Sequence, residues 1–264
     1  MDLELNGKKA LVTGSTAGIG FAIAKALAAE GAHVVVNGRT QPRVDAAVAA
    51  ILKASPRAKV EGIALDLATR AGADALARKL PAVDVLVNNL GIFEPKPFTA
   101  IPDEDWTRFF ETNVLSGVRL SRHYLPGMLQ RNWGRILFIS SESGVQIPGE
   151  MIHYGVTKTA QIALARGLAE TTAGTGVTVN SILPGPTGSE GVAGFVADLA
   201  RARGIDAVQV EREFFRDMRP TSLLKRFATP DEVAALVAFV ASPRSSATNG
   251  AALRVDGGVV RAIL

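Results

Sequence analysis

Tyr154 and Lys158 stand four residues apart, so a helix carries the phenol and the ammonium on one face, a turn from each other. Ser141 lies upstream, in Ser140-Ser141-Glu142-Ser143-Gly144, with twelve residues between it and Tyr154. That interval is enough chain to leave the apolar strand Ile136-Leu137-Phe138-Ile139, cross a loop holding Gly144, Pro148 and Gly149, and enter a helix. A hydroxyl, a phenol and an ammonium can then meet at the carboxyl end of one strand. An unperturbed tyrosine titrates near ~10 and is a poor base at neutral pH. A fixed cation beside it favours the phenolate. The trio suits proton transfer to or from an alcohol or carbonyl oxygen. The plainer alternative is a Tyr–Lys pair that covers a helix surface, and only the rest of the chain decides between them.

The elements that position these residues follow from the order of apolar runs and breakers. Leu11-Val12-Thr13 reads as a short buried strand, followed by Gly14-Ser15-Thr16-Ala17-Gly18-Ile19-Gly20 and an Ala-rich helix over Phe21–Glu30. In that strand–turn–helix context Gly14 permits the tight turn, Gly18 lets backbone approach a pyrophosphate, and Gly20 lets the helix pack on the strand. The spacing is G-x3-G-x-G, not G-x-G-x-x-G. The next strand, Ala32–Asn37, ends at Gly38-Arg39-Thr40. An acid there would hold a ribose 2′-hydroxyl; Arg39 instead suits a 2′-phosphate and favours NADP over NAD, unless it is simply an exposed loop residue.

Further along, a helix over Gln41–Ala54 carries Val44, Ala47, Val48 and Ile51 on one side. The strand Lys59–Leu65 ends at Asp66-Leu67, where Asp66 either accepts from an adenine amino group or caps the next helix, Arg70–Leu80. The strand Val83–Val87 ends at Asn88-Asn89-Leu90-Gly91, whose amides can brace the turn or meet a ligand. A helical segment over Asp103–Arg131 holds Asn113 at its middle, read as an exposed or capped polar residue, and Pro126, which predicts a kink. The strand Arg135–Ser140 and the Tyr154 helix follow, then the strand Val177–Leu183 and Pro184-Gly185-Pro186-Thr187. Residues 189–219 break the alternation with two short amphipathic helices anchored by Phe195, Leu199, Phe214 and Phe215, which is the pattern of an active-site lid. A capped helix over Thr229–Ala241 and a strand over Ala252–Val255 complete the order. Alternating, near-continuously apolar strands and helices predict a doubly wound parallel sheet with helices on both faces and ligands at the strands' carboxyl ends.

Composition narrows the function classes. The 264 residues are 47% apolar and 20% charged, a globular balance in which neither a repeat nor a linker is visible. The net charge of +4 is spread along the chain without a Lys/Arg run, so the basic pI of 9.6 describes a solvated surface and no nucleic-acid arm. There is no cysteine, which excludes disulfides, thiol catalysis and Cys-ligated metal, and three scattered histidines suggest no metal site. The first nine residues carry two acids and no apolar stretch, unlike a secretory signal, and the run Val233–Ala241 is too short to span a bilayer. A cytoplasmic location is the expectation.

Thr13-Gly14-x3-Gly18-Ile19-Gly20, Asn88-Asn89-x-Gly91, Asn113, Ser141, Tyr154-x3-Lys158, Asn180 and Pro184-Gly185 together resemble the short-chain dehydrogenases/reductases, across essentially the whole chain. The resemblance is nearest to the 3-oxoacyl-carrier-protein reductase branch. It implies one Rossmann-like domain with a seven-stranded sheet, a lid at about 186–220, and assembly into tetramers or dimers. It implies that Tyr154 exchanges the proton, that Lys158 lowers the phenol's pKa and binds the nicotinamide ribose, that Ser141 holds the carbonyl, and that Asn113 anchors a proton-relaying water. Cofactor contacts implied are Gly14, Thr16, Gly18, Ile19, Gly20, Arg39, Asp66, Leu67, Asn89, Gly91, Tyr154, Lys158, Pro184, Gly185 and Thr187, with NADP(H) preferred and NAD(H) also accommodated. The substrate would be a small carbonyl or alcohol, partly apolar because of the lid's phenylalanines. An idle NADP(H)-binding sensor or scaffold and an NAD-dependent alcohol dehydrogenase are the competing readings. Leu90 and Glu142 depart from the family's usual small residues. Glu142, with Glu150 and His153 close in sequence, either gives the mouth of the cleft a polar lining or belongs with them to a solvated loop.

Overall fold

The computed structural model describes residues 2–263, with the side chains of Phe195, Asp198, Leu199 and Ala202 outside that description. The anchoring expected of Phe195 and Leu199 therefore lies outside the described residues. Seven strands, Lys9–Val12 (β1), His33–Gly38 (β2), Lys59–Ala64 (β3), Val85–Asn88 (β4), Gly134–Ile139 (β5), Val177–Pro184 (β6) and Ala252–Val255 (β7), form one parallel sheet in the order β3-β2-β1-β4-β5-β6-β7. The strand order reverses between β1 and β4, the point beyond whose carboxyl ends doubly wound sheets bind their ligands.

Helices cover both faces: Gly18–Ala29 (α1), Gln41–Ala54 (α2), Arg70–Lys79 (α3), Asp103–Phe110 (α4), Ser116–Gln130 (α5), Ile152–Glu170 (α6), Glu190–Arg203 (α7), Ala207–Glu213 (α8) and Pro230–Val240 (α9). Successive strand residues serve opposite faces. Val34, Val36, Val85 and Val87 join α1 and α9 in one core, whereas Leu11, Val35, Leu86 and Ile136 join α3, α5 and α6 in the other. This two-sided burial is why the strands read as continuous apolar runs.

Three local differences from the sequence reading matter. The helix expected from Phe21 starts at Gly18, so the last two glycines of the motif lie in its first turn. The segment over 103–131 is not wound uniformly: a π-helical turn at Glu111–Leu115 separates α4 from α5. Pro126, expected to kink the chain, sits within α5, and the change of winding falls at Asn113 instead. The π turn carries one extra residue, which rotates Asn113 inward; the side chain expected on the surface is 0% exposed.

Candidate active site

The glycine turn after β1 is shaped by neighbouring strands. Asn37, at the end of β2, accepts from the Gly14 amide (3.2 Å) and donates to the Ile63 and Leu65 carbonyls (3.1 Å each). Asn89 donates to the Thr13 (2.9 Å) and Gly14 (3.1 Å) carbonyls, which is the bracing role of the two left open for it. Gly14 and Gly18 adopt φ of +60° and +57°, conformations that favour glycine. A methyl group on Gly20 would lie 2.4 Å from Asn89 Nδ2 and 2.5 Å from the Gly14 carbonyl oxygen.

Ala17 precedes α1 without a side-chain cap, whereas Thr69, Ser189, Asp206 and Thr229 cap α3, α7, α8 and α9. The first amides of α1 therefore face outward with the positive end of the helix dipole. Gly38 lets Thr16 press against the end of β2, where a methyl would meet Thr16 Cγ2 at 2.4 Å. Arg39 follows, exposed and without an ion-pair partner among the described residues. An open glycine cradle, uncapped amides and an uncommitted guanidinium at the next strand's end fit a dinucleotide bearing a 2′-phosphate. Asp66 is exposed and accepts from the Ala68 amide (3.1 Å), while the cap of α3 is Thr69. Gly91 brings its backbone close to two side chains of the site; a methyl there would lie 3.4 Å from Lys158 Nζ and 3.6 Å from Asn113 Oδ1. Thr187 donates to the Gly185 carbonyl (2.9 Å) and shapes the turn after β6.

At the carboxyl end of β5 the second half of the site assembles. Thr159 donates to the Gly144 carbonyl (2.7 Å) and Ser140 to the Lys158 carbonyl (2.8 Å), which pins α6 to the Ser141 loop. Ser141 stands close enough to Tyr154 for its hydroxyl to act on the phenol, and Lys158 Nζ lies 5.5 Å from the Tyr154 ring centroid. Lys158 donates to the Ile139 carbonyl (2.9 Å) and to Gln161 Oε1 (3.1 Å). Gln161 in turn donates to the main-chain carbonyl of Asn113 (2.5 Å), the oxygen that the π turn displaces. The Asn113 side chain bonds the Ile92 amide and carbonyl and the Thr157 hydroxyl, so it clamps the β4 loop to α6. Gln161 was missed in the sequence, although its place one turn beyond Lys158 on the same helix face is a readable signal.

The electrostatics depart from the expectation that Lys158 depresses the phenol. Tyr154 lies above its ordinary pKa because it is buried and because the Glu142 carboxylate adds negative charge; the Ser141 hydrogen bond and Arg219 oppose this. Lys158 itself is pulled down to about 7 by burial, with Glu142 opposing. Between about 7 and the ordinary lysine value near ~10 the unfolded chain binds this proton and the folded one does not. Unfolding free energy therefore rises with pH across that window, by up to ~1.4 kcal/mol per pH unit for one proton. Below it both forms hold the proton, and above it neither does. Denaturant unfolding of the wild type and of Lys158→Met at stepped pH should show this slope in their difference. Equal slopes would mean that Lys158 keeps its proton when buried.

Glu142 is not a solvated loop residue. It is 5% exposed, and its carboxylate accepts from the Ser141 hydroxyl (2.5 Å), the Ser143 amide (2.8 Å) and Arg219 Nε (3.3 Å). Arg219, 8% exposed, also donates to Glu150 (2.9 Å). His153 is fully buried against Phe109, with ring centroids 4.0 Å apart, and burial pushes its pKa down. Of the phenylalanines expected to line the cleft, Phe214 and Phe215 pack on each other and on Phe227. The ring beside Tyr154 is Phe93, edge-on at 6.4 Å and 53% exposed. Among the described residues no cluster of His, Cys, Asp and Glu suits a metal ion, and no helix is long and apolar enough to cross a membrane.

A doubly wound sheet with a glycine cradle at its switch point and a Ser–Tyr–Lys group one loop away defines a nucleotide-dependent oxidoreductase. Comparison with known proteins agrees. Residues 14–260 match the enoyl-(acyl carrier protein) reductase family model. An oxidoreductase of Bacillus subtilis, YvrD, is 50% identical over 266 residues, covering 100% of both chains. D-β-hydroxybutyrate dehydrogenase of Cupriavidus necator is 37% identical over 260 residues, covering 97% of this chain and 99% of its own. The structure of L-sorbose reductase from Gluconobacter frateurii, complexed with NADPH and L-sorbose, matches with a TM-score of 0.93 at 32% identity over 100% of both chains. The chain belongs to the short-chain dehydrogenase/reductase family and is an oxidoreductase of that family.

Proposed function

We propose that this protein interconverts a carbonyl compound and an alcohol with NADP(H), using Tyr154 as the acid/base. The observation that carries the reading is the convergence of Ser141, Tyr154 and Lys158 beside an open glycine cradle. Gly14, Thr16, Gly18, Ile19 and Gly20 hold the pyrophosphate side, Arg39 the 2′-phosphate, and Asp66, Leu67, Asn89 and Gly91 the adenosine side. Pro184, Gly185 and Thr187 face the carboxamide. The nicotinamide, when bound, supplies hydride to the carbonyl carbon or accepts it from the alcohol carbon. Tyr154 gives its hydroxyl proton to the oxygen that gains charge in reduction and takes it back in oxidation. A phenol is protonated at neutral pH, as an acid that serves the reductive step must be. Ser141 holds the same oxygen, and two positioned hydroxyls stabilise the charge that develops there. Lys158 binds the ribose hydroxyls, and Asn113, through Gln161, fixes its ammonium.

We take the chain as one domain in which residues 186–220 form a lid. Its first helix starts against the glycine turn, where a methyl on Gly18 would meet Ser189 Cβ at 3.2 Å. Its far end is tied by Arg219 to Glu142, the neighbour of Ser141. The two ends thus bracket the crevice. Phe93 offers an apolar wall to a small, partly apolar substrate. A cytoplasmic homo-oligomer, a tetramer or dimer, completes the proposal.

NADPH consumption against a panel of aldehydes and ketones, read beside NADPH affinity, tests the reading. Binding without turnover of any carbonyl would support an idle binder instead. Arg39→Ala is expected to weaken NADPH by ~10-fold or more and to leave NADH nearly unchanged, since only NADPH carries the 2′-phosphate. Equal losses in a fluorescence titration would remove Arg39 from cofactor choice.

A further inference from the structure

Three charged side chains from three separate stretches meet beside Tyr154, whose phenol feels the charges of Glu142 and Arg219. Glu142 follows Ser141, Glu150 lies in the short turn Gly149–Met151 that precedes α6, and Arg219 ends the 189–219 excursion. Arg219 binds both carboxylates through separate nitrogens, Nε to Glu142 and Nη1 to Glu150. Every hydrogen bond that Glu142 makes is to a donor, as an ionised carboxylate requires. Two carboxylates around one guanidinium leave a net charge of about −1, in a place too dry for solvent to screen it well.

Nothing nearby offsets that charge. Among the described residues, the other cation beside the catalytic pair is Lys158, which stands behind the phenol ring and is committed to the Ile139 carbonyl and Gln161. Burial also makes Lys158 give up its proton near neutral pH. Lys96 and Arg108 are engaged by Glu94 and Asp105. On the acceptor side, Glu150 uses Oε1 for Arg219, is only partly buried, and keeps Oε2 available.

We propose that the Glu142–Arg219–Glu150 cluster selects the substrate by charge, admitting uncharged, hydroxyl-bearing carbonyl and alcohol compounds and rejecting carboxylates. The selection rests on the carbonyl–alcohol chemistry proposed above. A hydroxyl on the substrate finds a carboxylate acceptor; a substrate carboxylate finds like charge and no free cation. Rejection of this kind is a repulsive element that sharpens specificity without adding any attractive contact.

The experiment compares matched pairs, each a 3-oxo acid and its primary amide, as substrates with NADPH and as ligands of the NADPH complex by calorimetry. The wild type is expected to favour the amide by ~10-fold or more in kcat/KM and in binding. Glu150→Gln, which keeps an oxygen for Arg219, should cut that preference severalfold, and Glu150→Lys should reverse it. Equal use of acid and amide, preference for the acid, no binding of either, or a ratio that neither variant moves overturns the selection. Calorimetric preference for the amide with no turnover of any pair refutes the carbonyl chemistry and leaves the charge selection standing.

Discussion

Tyr154→Phe should abolish most turnover while leaving NADPH binding intact. The substitution removes one oxygen and keeps the ring, so the edge-on contact with Phe93 and the Lys158 ammonium 5.5 Å from the ring centroid persist. What disappears is the group proposed to pass a proton to the reacting oxygen while Ser141 bonds it. Ser141 cannot substitute, because an alkyl hydroxyl is a far weaker acid than a phenol; it can turn from Glu142 to donate a hydrogen bond but not give up its proton. General acid–base catalysis contributes roughly 10²–10⁴-fold, and the loss in kcat should fall in that range. KM for the carbonyl should move far less, since the phenol's main contribution comes as charge develops on the oxygen. Steady-state rates beside a fluorescence titration of NADPH separate the two effects. Normal turnover by the phenylalanine variant would disprove the assignment of Tyr154.

The second large effect is expected from a single methyl group. Gly20→Ala places a carbon 2.5 Å from the Gly14 carbonyl oxygen and 2.4 Å from Asn89 Nδ2. Neither neighbour can yield cheaply. The carbonyl belongs to the turn that Asn37 fixes, and the amide is held by two carbonyls of the same turn. Overpacking against such a frame costs about 3 kcal/mol, enough to lower the unfolding midpoint visibly. NADPH affinity should fall with it, because the displaced turn is the one proposed to meet phosphate. Gly194→Ala is the matched control. Gly194 also lies inside a helix, α7, but a methyl there meets nothing within 4 Å. That change should stabilise by about 0.5–1 kcal/mol through the backbone alone. If the two variants melt alike, close packing at Gly20 is not what the glycine is for.

The legible parts of this chain are those governed by a local period. Tyr154 and Lys158 are readable because four residues make a helical turn, and the glycine turn because each glycine answers to one strand and one helix. The parallel sheet with helices on both faces follows from the alternation of strand and helix. What escaped depends on partners distant in sequence. Glu142 looks solvated in its loop, yet Arg219, 77 residues on, closes over it. His153 reads as part of the loop before Tyr154, but it turns its ring onto Phe109. Asn113 looked like a weak choice for a helix middle, since the π turn that rotates it inward leaves no period in the sequence. The expectation of a depressed Tyr154 pKa failed for a related reason. It counted the nearby cation and omitted both desolvation and an acid whose burial could not be foreseen.

Asn37 has a consequence of its own. One amide side chain binds the turn after β1 and the backbone beyond β3 at the same time. No other side chain of that size offers one acceptor and two donors in that arrangement. The conformation that greets a nucleotide is thus already rigid when the sheet has formed, and little ordering entropy is left to oppose association. A lesion at Asn37 is expected to present as poor coenzyme affinity that acts through the shape of the turn.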